Sequence, residues 1–350
     1  MMPEFVAPLR LRLDGAALAD NWHALDRLSG TAACGAAVKA NGYGLGARDV
    51  TARLIRAGCR DFYVATWAEA NEIADLCEGR SLSVFHGVRR EDMAAATASP
   101  ARPCLNSAEQ VKRWREAAGG ACDVMVDTGM NRLGLSVEQV NDGLLDGLRI
   151  DTLMSHLACA DEPDNEMNNG QYAALASLVD KTGAVRMSLC NSAGIVLGKK
   201  YHLDLTRPGI SLYGGAQVEA LVPHIRQVAF PEAQVIQRRR IGTGETVGYG
   251  GTFTAEGETE LAILHLGYGD GYLRGFSGAG GAHFGEAACP VIGRVSMDLI
   301  AVSVDTAPDV KEGDWLSIDF DLPMASAQSG LSQYELLTTL GRRYQRNWNE

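Results

Sequence analysis

The chain has 350 residues, 46% of them apolar and 21% charged, with a formal net charge of −11. That balance suits an ordinary globular protein, built as one large domain plus a smaller one or as two of similar size. It argues against a general nucleic-acid binder; no apolar run approaches transmembrane length, and residues 1–10 hold Glu4 and two prolines in place of an apolar leader, so a cytoplasmic protein without a membrane partner is expected.

The first strong strand signal, residues 32–38, delivers Lys39 at its C-terminal end into a glycine-rich turn carrying Asn41 and Tyr43. Parallel α/β folds put their chemistry at the C-terminal ends of strands. A desolvated lysine there has a lowered pKa and can act as nucleophile or base, or join a carbonyl cofactor such as pyridoxal 5'-phosphate. Taken alone, a surface lysine after a strand is the simpler explanation. Further strand-like runs follow at residues 62–65, 82–86, 102–105, 123–126, 152–155, 186–189 and 202–205. Helix-type spacing lies between them at 47–57, 68–76, 107–118, 136–145 and 169–181, with Ser107 and Gln110 reading as a capping box. Eight βα units over residues 1–220 predict an α/β fold, a (β/α)8 TIM-like barrel; a doubly wound open sheet is the rival. No GxGxxG or Walker motif opens a helix.

Beyond about residue 220 the character changes. Short strand-like pieces at 234–240, 260–266, 289–294, 299–304 and 315–320 are separated by turn formers, among them residues 278–281. They predict a C-terminal mainly β domain over 221–350, with which the first few residues can pack. Arg238-Arg239-Arg240 reads as a solvated strand edge. A helix over 332–342, with Ser332 as N-cap and Glu335 at its third position, closes the chain. The eight cysteines show no CxxC pair; Cys34, Cys104, Cys122 and Cys190 lie in apolar runs and read as small core residues, so neither disulfides nor a metal site is expected.

On a barrel, the loops after the strands meet at one face. After strand five comes Asp127-Thr128-Gly129-Met130-Asn131-Arg132, after strand six Ser155-His156, after strand seven Asn191-Ser192 and after strand eight Thr206-Arg207-Pro208-Gly209-Ile210. The loops after strands seven and eight are the usual phosphate site of such barrels, which suits Ser192 and the amides near Gly209 and Ile210. Singly, His156 reads as a core histidine, Ser192 as a helix cap and Arg207 as a structural ion-pair partner. Together they point to a cofactor site.

At these residues the chain resembles the pyridoxal-phosphate-dependent alanine racemases of fold type III. The resemblance spans nearly the whole length and rests on eight motifs in order. They are Ala37-Val38-Lys39-Ala40-Asn41 with Tyr43-Gly44, Val126-Asp127-Thr128-Gly129-Met130 with Arg132-Leu133-Gly134, Asn191-Ser192-Ala193, and Arg207-Pro208-Gly209-Ile210 with Tyr213-Gly214. Val247-Gly248-Tyr249-Gly250, Gly267-Tyr268-Gly269-Asp270-Gly271, Gly293-Arg294-Val295-Ser296-Met297-Asp298 and Tyr334-Glu335 complete the set. The resemblance implies that Lys39 holds the cofactor and is one base, and that Tyr249 is the second, serving the other subunit of a head-to-tail homodimer with shared sites. Tyr43, Asn191, Ser192, Gly209, Ile210 and Tyr334 would bind the cofactor about its phosphate. Arg207 would face the pyridine nitrogen, with His156 behind it. Arg132 and Met297 would contact the alanine substrate, and Tyr268 would gate the access corridor. The implied role is racemisation of alanine, supplying D-alanine for peptidoglycan.

Three positions depart from the pattern. Met125 stands where many relatives carry a carbamylated lysine, Ser296 replaces a frequent cysteine and Leu45 a frequent histidine. Without that lysine, a partly buried Arg132 would need another neutralising group, a small anion or water first and a carboxylate second. The rivals are a broader amino-acid or serine racemase, a decarboxylase of the same fold type, which should lack the Lys39 and Tyr249 pair, and a non-catalytic cofactor-binding protein, which would lack the β domain.

Overall fold

The computed structural model describes residues 6–350. They form two compact units, one of Leu18–Arg226 and one of Gln227–Glu350 together with the segment ending at Ala17. The divide thus follows Arg226, a few residues beyond the expected position, and the N-terminal strand belongs with the C-terminal unit.

In the first unit, nine parallel strand segments run side by side. Two of them, Ala33–Cys34 and Ala36–Ala37, are halves of one strand on either side of Gly35. The first half pairs with Leu205–Thr206 and the second with Asp61–Val64. One strand therefore joins both ends of the row, and Gly35 N and Ala37 N extend the seam to Thr206 O and Pro208 O, each at 2.9 Å. The remaining strands are Ser81–Val84, Arg102–Leu105, Cys122–Met125, Ile150–Met154 and Arg186–Ser188, and the (β/α)8 barrel is as expected. Helices Ala47–Ala57, Trp67–Ile73, Ala108–Glu116, Val137–Asn141 and Glu166–Ala176 lie close to the anticipated places. The last begins early because Asn165 accepts from Met167 N and caps it. Ser107 accepts from Gln110 N, but Gln110 Oε1 accepts from Asn106 N instead of Ser107 N, so the capping box is only half made. Helices Gly15–Ser29 and Met93–Ala98 were not anticipated.

The N-terminal end of the barrel is closed by charge. Arg102 Nη2 pairs with Asp151 at 2.9 Å and its Nε lies 3.4 Å from Asp123, while Arg186 Nη2 pairs with both Asp61 and Asp151 at 2.8 Å. Asp123 is fully buried; burial pushes its carboxyl up and Arg102 pulls it back, aided by Ser83 Oγ and Thr152 N, both of which donate to it. All eight cysteines are free and, Cys159 apart, buried; burial pushes the Cys34 thiol up to about 12, so it stays inert.

The second unit is mainly β. Its long strand Ala229–Ile241 pairs with Leu9–Asp14 on one side and Trp315–Ile318 on the other, then with Thr259–Leu264 beyond an irregularity at Val235/Gln237. Strands Ile300–Ser303, Ala287–Ile292 and Gly281–Phe284 close an antiparallel ring between Thr259–Leu264 and Trp315–Ile318. Leu9, Leu11 and Leu13 are wholly buried and alternate with partly exposed Arg10, Arg12 and Asp14, the pattern of a strand with one core face. Some expectations are corrected here. Residues 278–281 are not all turn, because Gly281 opens a strand against Pro290. The arginine run does lie on an exposed strand stretch, with Arg239 and Arg240 open to water, and it is tied as well: Arg238 Nη2 and Arg240 Nε share Glu260 on the neighbouring strand, at 2.8 and 2.6 Å. The last helix stops at Thr338, and the chain ends in strand Gln345–Asn349, parallel to Leu9–Asp14.

Breaking the charged floor should be costly. Asp123→Ala leaves Arg102 short of a buried counter-charge, and the unfolding free energy is expected to fall by about 3 kcal/mol or more. Chemical denaturation of the cofactor-free protein checks this; a loss below about 1 kcal/mol would show that the floor is dispensable.

Candidate active site

The barrel's C-terminal end gathers the groups expected of it. Val38 N bonds Tyr63 O at 2.8 Å, which fixes the end of the first strand immediately before Lys39. Ala40, Asn41, Gly42 and Tyr43 then all take positive φ, between 53° and 60°, so the chain makes one left-handed turn. Asparagine tolerates that conformation, and Asn41 Oδ1 accepts from Ala47 N at 2.9 Å, capping the helix that follows. Glu69, in the first turn of helix Trp67–Ile73, holds the turn: its Oε1 accepts from Ala40 N and its Oε2 from Ala65 N, each at 2.7 Å. Lys39 is partly covered, and its amine is held below the usual lysine value by burial and then by Arg132, with Glu69 opposing.

Arg207 is buried. Its guanidinium donates to Ser188 Oγ and to Ser155 O, both neutral, and it forms no ion pair among the described residues. Burial lowers its pKa, but arginine stays charged. His156 sits among cations. Burial, then Arg207, Arg132 and Lys39, lower its pKa to about 3, so the imidazole is neutral at ordinary pH.

Beside them is a small cradle. Ser192, 2% exposed, accepts from Gly209 N at 3.0 Å and Ser211 N at 3.3 Å. Asn191 Oδ1 accepts from Gly194 N at 2.9 Å, and Ile210 is wholly buried beneath. Tyr43 stacks on Tyr213 at 4.5 Å, and a Cβ on Gly209 would fall 2.3 Å from the Tyr43 hydroxyl, so only glycine admits that ring. The loop carrying Arg132 is folded about Asp127, whose carboxylate accepts from the amides of Gly129, Asn131 and Arg132 at 2.9–3.1 Å. Arg132 itself is exposed, which corrects the expectation of a partly buried guanidinium: with Met125 buried nearby, water can solvate the charge, and this chain alone demands no neutralising group.

The β unit carries the other expected residues. Tyr249 is 71% exposed, on a turn beside Arg294, and lines a hollow of about 550 Å³ with Val247, Leu261, Ile263 and Leu299. Tyr268, Met297 and Tyr334 lie on segments of the same unit. Tyr268 is half-buried under Arg274, whose guanidinium carbon stands 5.3 Å from the ring centre, Met297 is exposed, and Tyr334 lies on helix Gln333–Thr338 behind the expected Ser332 and Glu335 capping box. Sequence reasoning passed over Glu69 and Ser188, and it named Ser155 at its strand end without giving it a role. The spacing of Thr66 and Glu69 is a capping-box signal that could have drawn attention to Glu69, and the box is present.

Comparison with known proteins places the chain in a family. Residues 13–217 match the family described as "Alanine racemase, N-terminal domain" and residues 228–348 the one described as "Alanine racemase, C-terminal domain". The chain is 42% identical to "Alanine racemase" of Cereibacter sphaeroides over 350 residues, covering 98% of this chain and 99% of that protein. It is 38% identical to "Alanine racemase, biosynthetic" of Agrobacterium fabrum, with 98% and 94% covered. A crystal structure of alanine racemase from Bartonella henselae with covalently bound pyridoxal phosphate superposes with a TM-score of 0.90 at 32% identity, covering 99% of this chain and all of that one.

The neutral imidazole has a consequence for stability. His156 titrates near 6.5 when unfolded and at about 3 when folded, so as pH falls from 6.5 towards 3 the unfolded state binds the extra proton and gains. Above 6.5 the group has no effect. His156→Gln should therefore flatten the acid limb of the stability curve by about 1.4 kcal/mol per pH unit in that window. Denaturation of cofactor-free protein across the window measures it, and an unchanged slope would show that His156 is charged in the fold.

Proposed function

The chain belongs to the alanine racemase family, and from that premise we propose that it interconverts L- and D-alanine with pyridoxal 5'-phosphate held by Lys39. The observation that carries this reading is the company Lys39 keeps: an amine held below its usual pKa, a neutral histidine, and a buried Arg207 with only neutral oxygen partners. The residues suit the cofactor's chemistry. An amine that loses its proton readily can attack an aldehyde. The Ser192 hydroxyl, which accepts from two amides and keeps its own proton to donate, would suit a phosphate with Tyr43, Asn191, Gly209 and Ile210 around it, and Tyr334 would complete that set. Arg207 would donate to the pyridine nitrogen with His156 behind it, and Arg132, free of ion pairs among the described residues, would meet the substrate carboxylate with help from the Met297 backbone.

When bound, the cofactor supplies an electron sink that acidifies the Cα–H bond of the amino acid. Lys39 Nζ would take or return the Cα proton on one face and the Tyr249 hydroxyl on the other, which inverts the centre without turning the substrate over. Because Arg207 cannot give up its proton in practice, it would leave the ring nitrogen neutral and restrain charge spreading that leads to side reactions. His156, being neutral, adds no fourth cation to this end of the barrel. Tyr268 would guard the approach.

The exposure of Tyr249, with a hollow beside it, supports its reaching a second copy of the chain, giving a head-to-tail homodimer with shared sites. A cytoplasmic role supplying D-alanine for peptidoglycan fits the family. Among the described residues no helix is long and apolar enough to cross a membrane, and no cluster of three or more His, Cys, Asp or Glu side chains is placed to hold a metal.

Lys39→Ala should lose the visible absorbance of lysine-bound cofactor and about four orders of magnitude of racemase activity. Retention of more than about one per cent would remove Lys39 from its role. Tyr249→Phe should keep the cofactor and lose most activity in both directions. Mixing the two inactive variants tests the shared site: a hybrid dimer holds one site with both lesions and one with neither, so activity should partly return. No recovery after proven subunit exchange would mean that each site is built from one chain.

A further inference from the structure

Within the β unit, the residue proposed to guard the substrate's approach, Tyr268, and one proposed to contact the substrate, Met297, sit on separate segments that one guanidinium ties together. Arg343 grips Asp270 with a fork, Nε to Oδ1 at 2.6 Å and Nη2 to Oδ2 at 2.9 Å, and extends Nη1 to Asp298 Oδ1 at 2.7 Å. Asp270 lies two residues after Tyr268, and Asp298 immediately follows Met297. The Asp270 side chain is 0% exposed, and its Oδ2 also accepts from Gly267 N at 3.0 Å. The two segments touch backbone to backbone: Tyr268 N donates to Ser296 O at 3.0 Å and Gly269 N to Met297 O at 2.8 Å. They leave no room for side chains. A Cβ on Gly269 would lie 2.8 Å from Arg343 Nη2, and one on Gly267 2.4 Å from both Ser296 O and Met297 O. The third segment is held as well, since Gly341 N donates to Asp270 O at 3.0 Å.

This differs from an ordinary surface ion pair. Both ends of Arg48–Asp75 are open to water, and such pairs contribute little. At Asp270 a buried carboxylate depends on one fork, and a lysine ammonium, whose three N–H donors share one nitrogen, lacks the planar fork that lets separate nitrogens span both carboxylates.

We propose that Arg343 is a positioning residue for racemisation: by clamping Asp270 and Asp298 it sets the spacing between Tyr268 and Met297, and so the side-chain size that the site accepts. The proposal rests on the functional reading above and deepens it. Loosening the clamp should widen the gap between the two segments without removing any group that touches the reacting atoms. An extra methylene then costs the substrate less, since a snug apolar wall discriminates one methylene by about ten- to two-hundredfold.

The test compares purified holoenzyme, wild type and Arg343→Lys, on L-alanine and on L-2-aminobutyrate, one methylene larger. Arg343→Lys should raise KM for alanine about fivefold with kcat nearly kept, and raise the relative kcat/KM of L-2-aminobutyrate about tenfold. Asp298→Asn, which removes only the exposed arm, should move both quantities the same way by less and keeps the test open if the lysine variant folds poorly. Arg12→Lys, in an ion pair on another strand, is the control and should move neither. A fall in kcat and thermal midpoint with unchanged selectivity in both corner variants would overturn the proposal and leave Arg343 a structural prop. If wild-type protein racemises no amino acid, the functional reading itself fails; if it racemises alanine and neither corner variant shifts KM or selectivity, only the clamp fails.

Discussion

Crowding of positive charge at one end of the barrel is the constraint to which the rest of the site answers. Burial first, and then Arg132, depress Lys39; burial first, and then Arg207, Arg132 and Lys39, keep the His156 imidazole neutral. Such a cluster is unfavourable by itself. The fold tolerates it by placing its paired charges elsewhere: Asp61, Asp123 and Asp151 are engaged with Arg102 and Arg186 at the opposite end of the same strands. The result is a barrel whose floor is neutralised and whose mouth is left cationic, a polarity that suits a phosphorylated, carboxylate-bearing complex.

The two units meet different demands. The barrel supplies rigid placement, because each functional group sits within a residue or a few of a buried parallel strand whose neighbours fix it on both sides. The β unit supplies reach. Tyr249 stands exposed on a short turn, while Tyr268 and Met297 are held by main-chain hydrogen bonds between two loops. Loops that must keep a fixed spacing without a strand between them need a polar tie, and Asp270 with Arg343 is that tie.

Most of the barrel was legible because buried parallel strands read as short apolar runs with helix spacing between them. The candidate residues were legible because their motifs follow the ends of those runs. The β unit was less so. Leu9, Leu11 and Leu13 alternate with polar residues in plain view, but the strand's partners lie more than two hundred residues away, at Ala229–Ile241 and Gln345–Asn349, and nothing local points to them. Gly281 looks like a turn former and becomes a strand residue only through its pairing with Pro290. The last helix was read too long: it ends at Thr338, and shortly beyond its cap Gly341 bonds to Asp270, a residue distant in sequence. Met125 correctly marked the loss of a charge, yet the exposure of Arg132 is a tertiary fact that no spacing encodes.

The left-handed turn after Lys39 has a consequence of its own. Ordinary residues disfavour that backbone by about 1–2 kcal/mol each because the L-configured Cβ crowds the following carbonyl oxygen. Mirror-image residues prefer it. At Ala40, whose φ is 53°, a D-alanine introduced by peptide ligation would fit the chain better than the L-alanine that is there. The backbone beside the lysine thus favours, at one position, the handedness opposite to that of the chain that builds it.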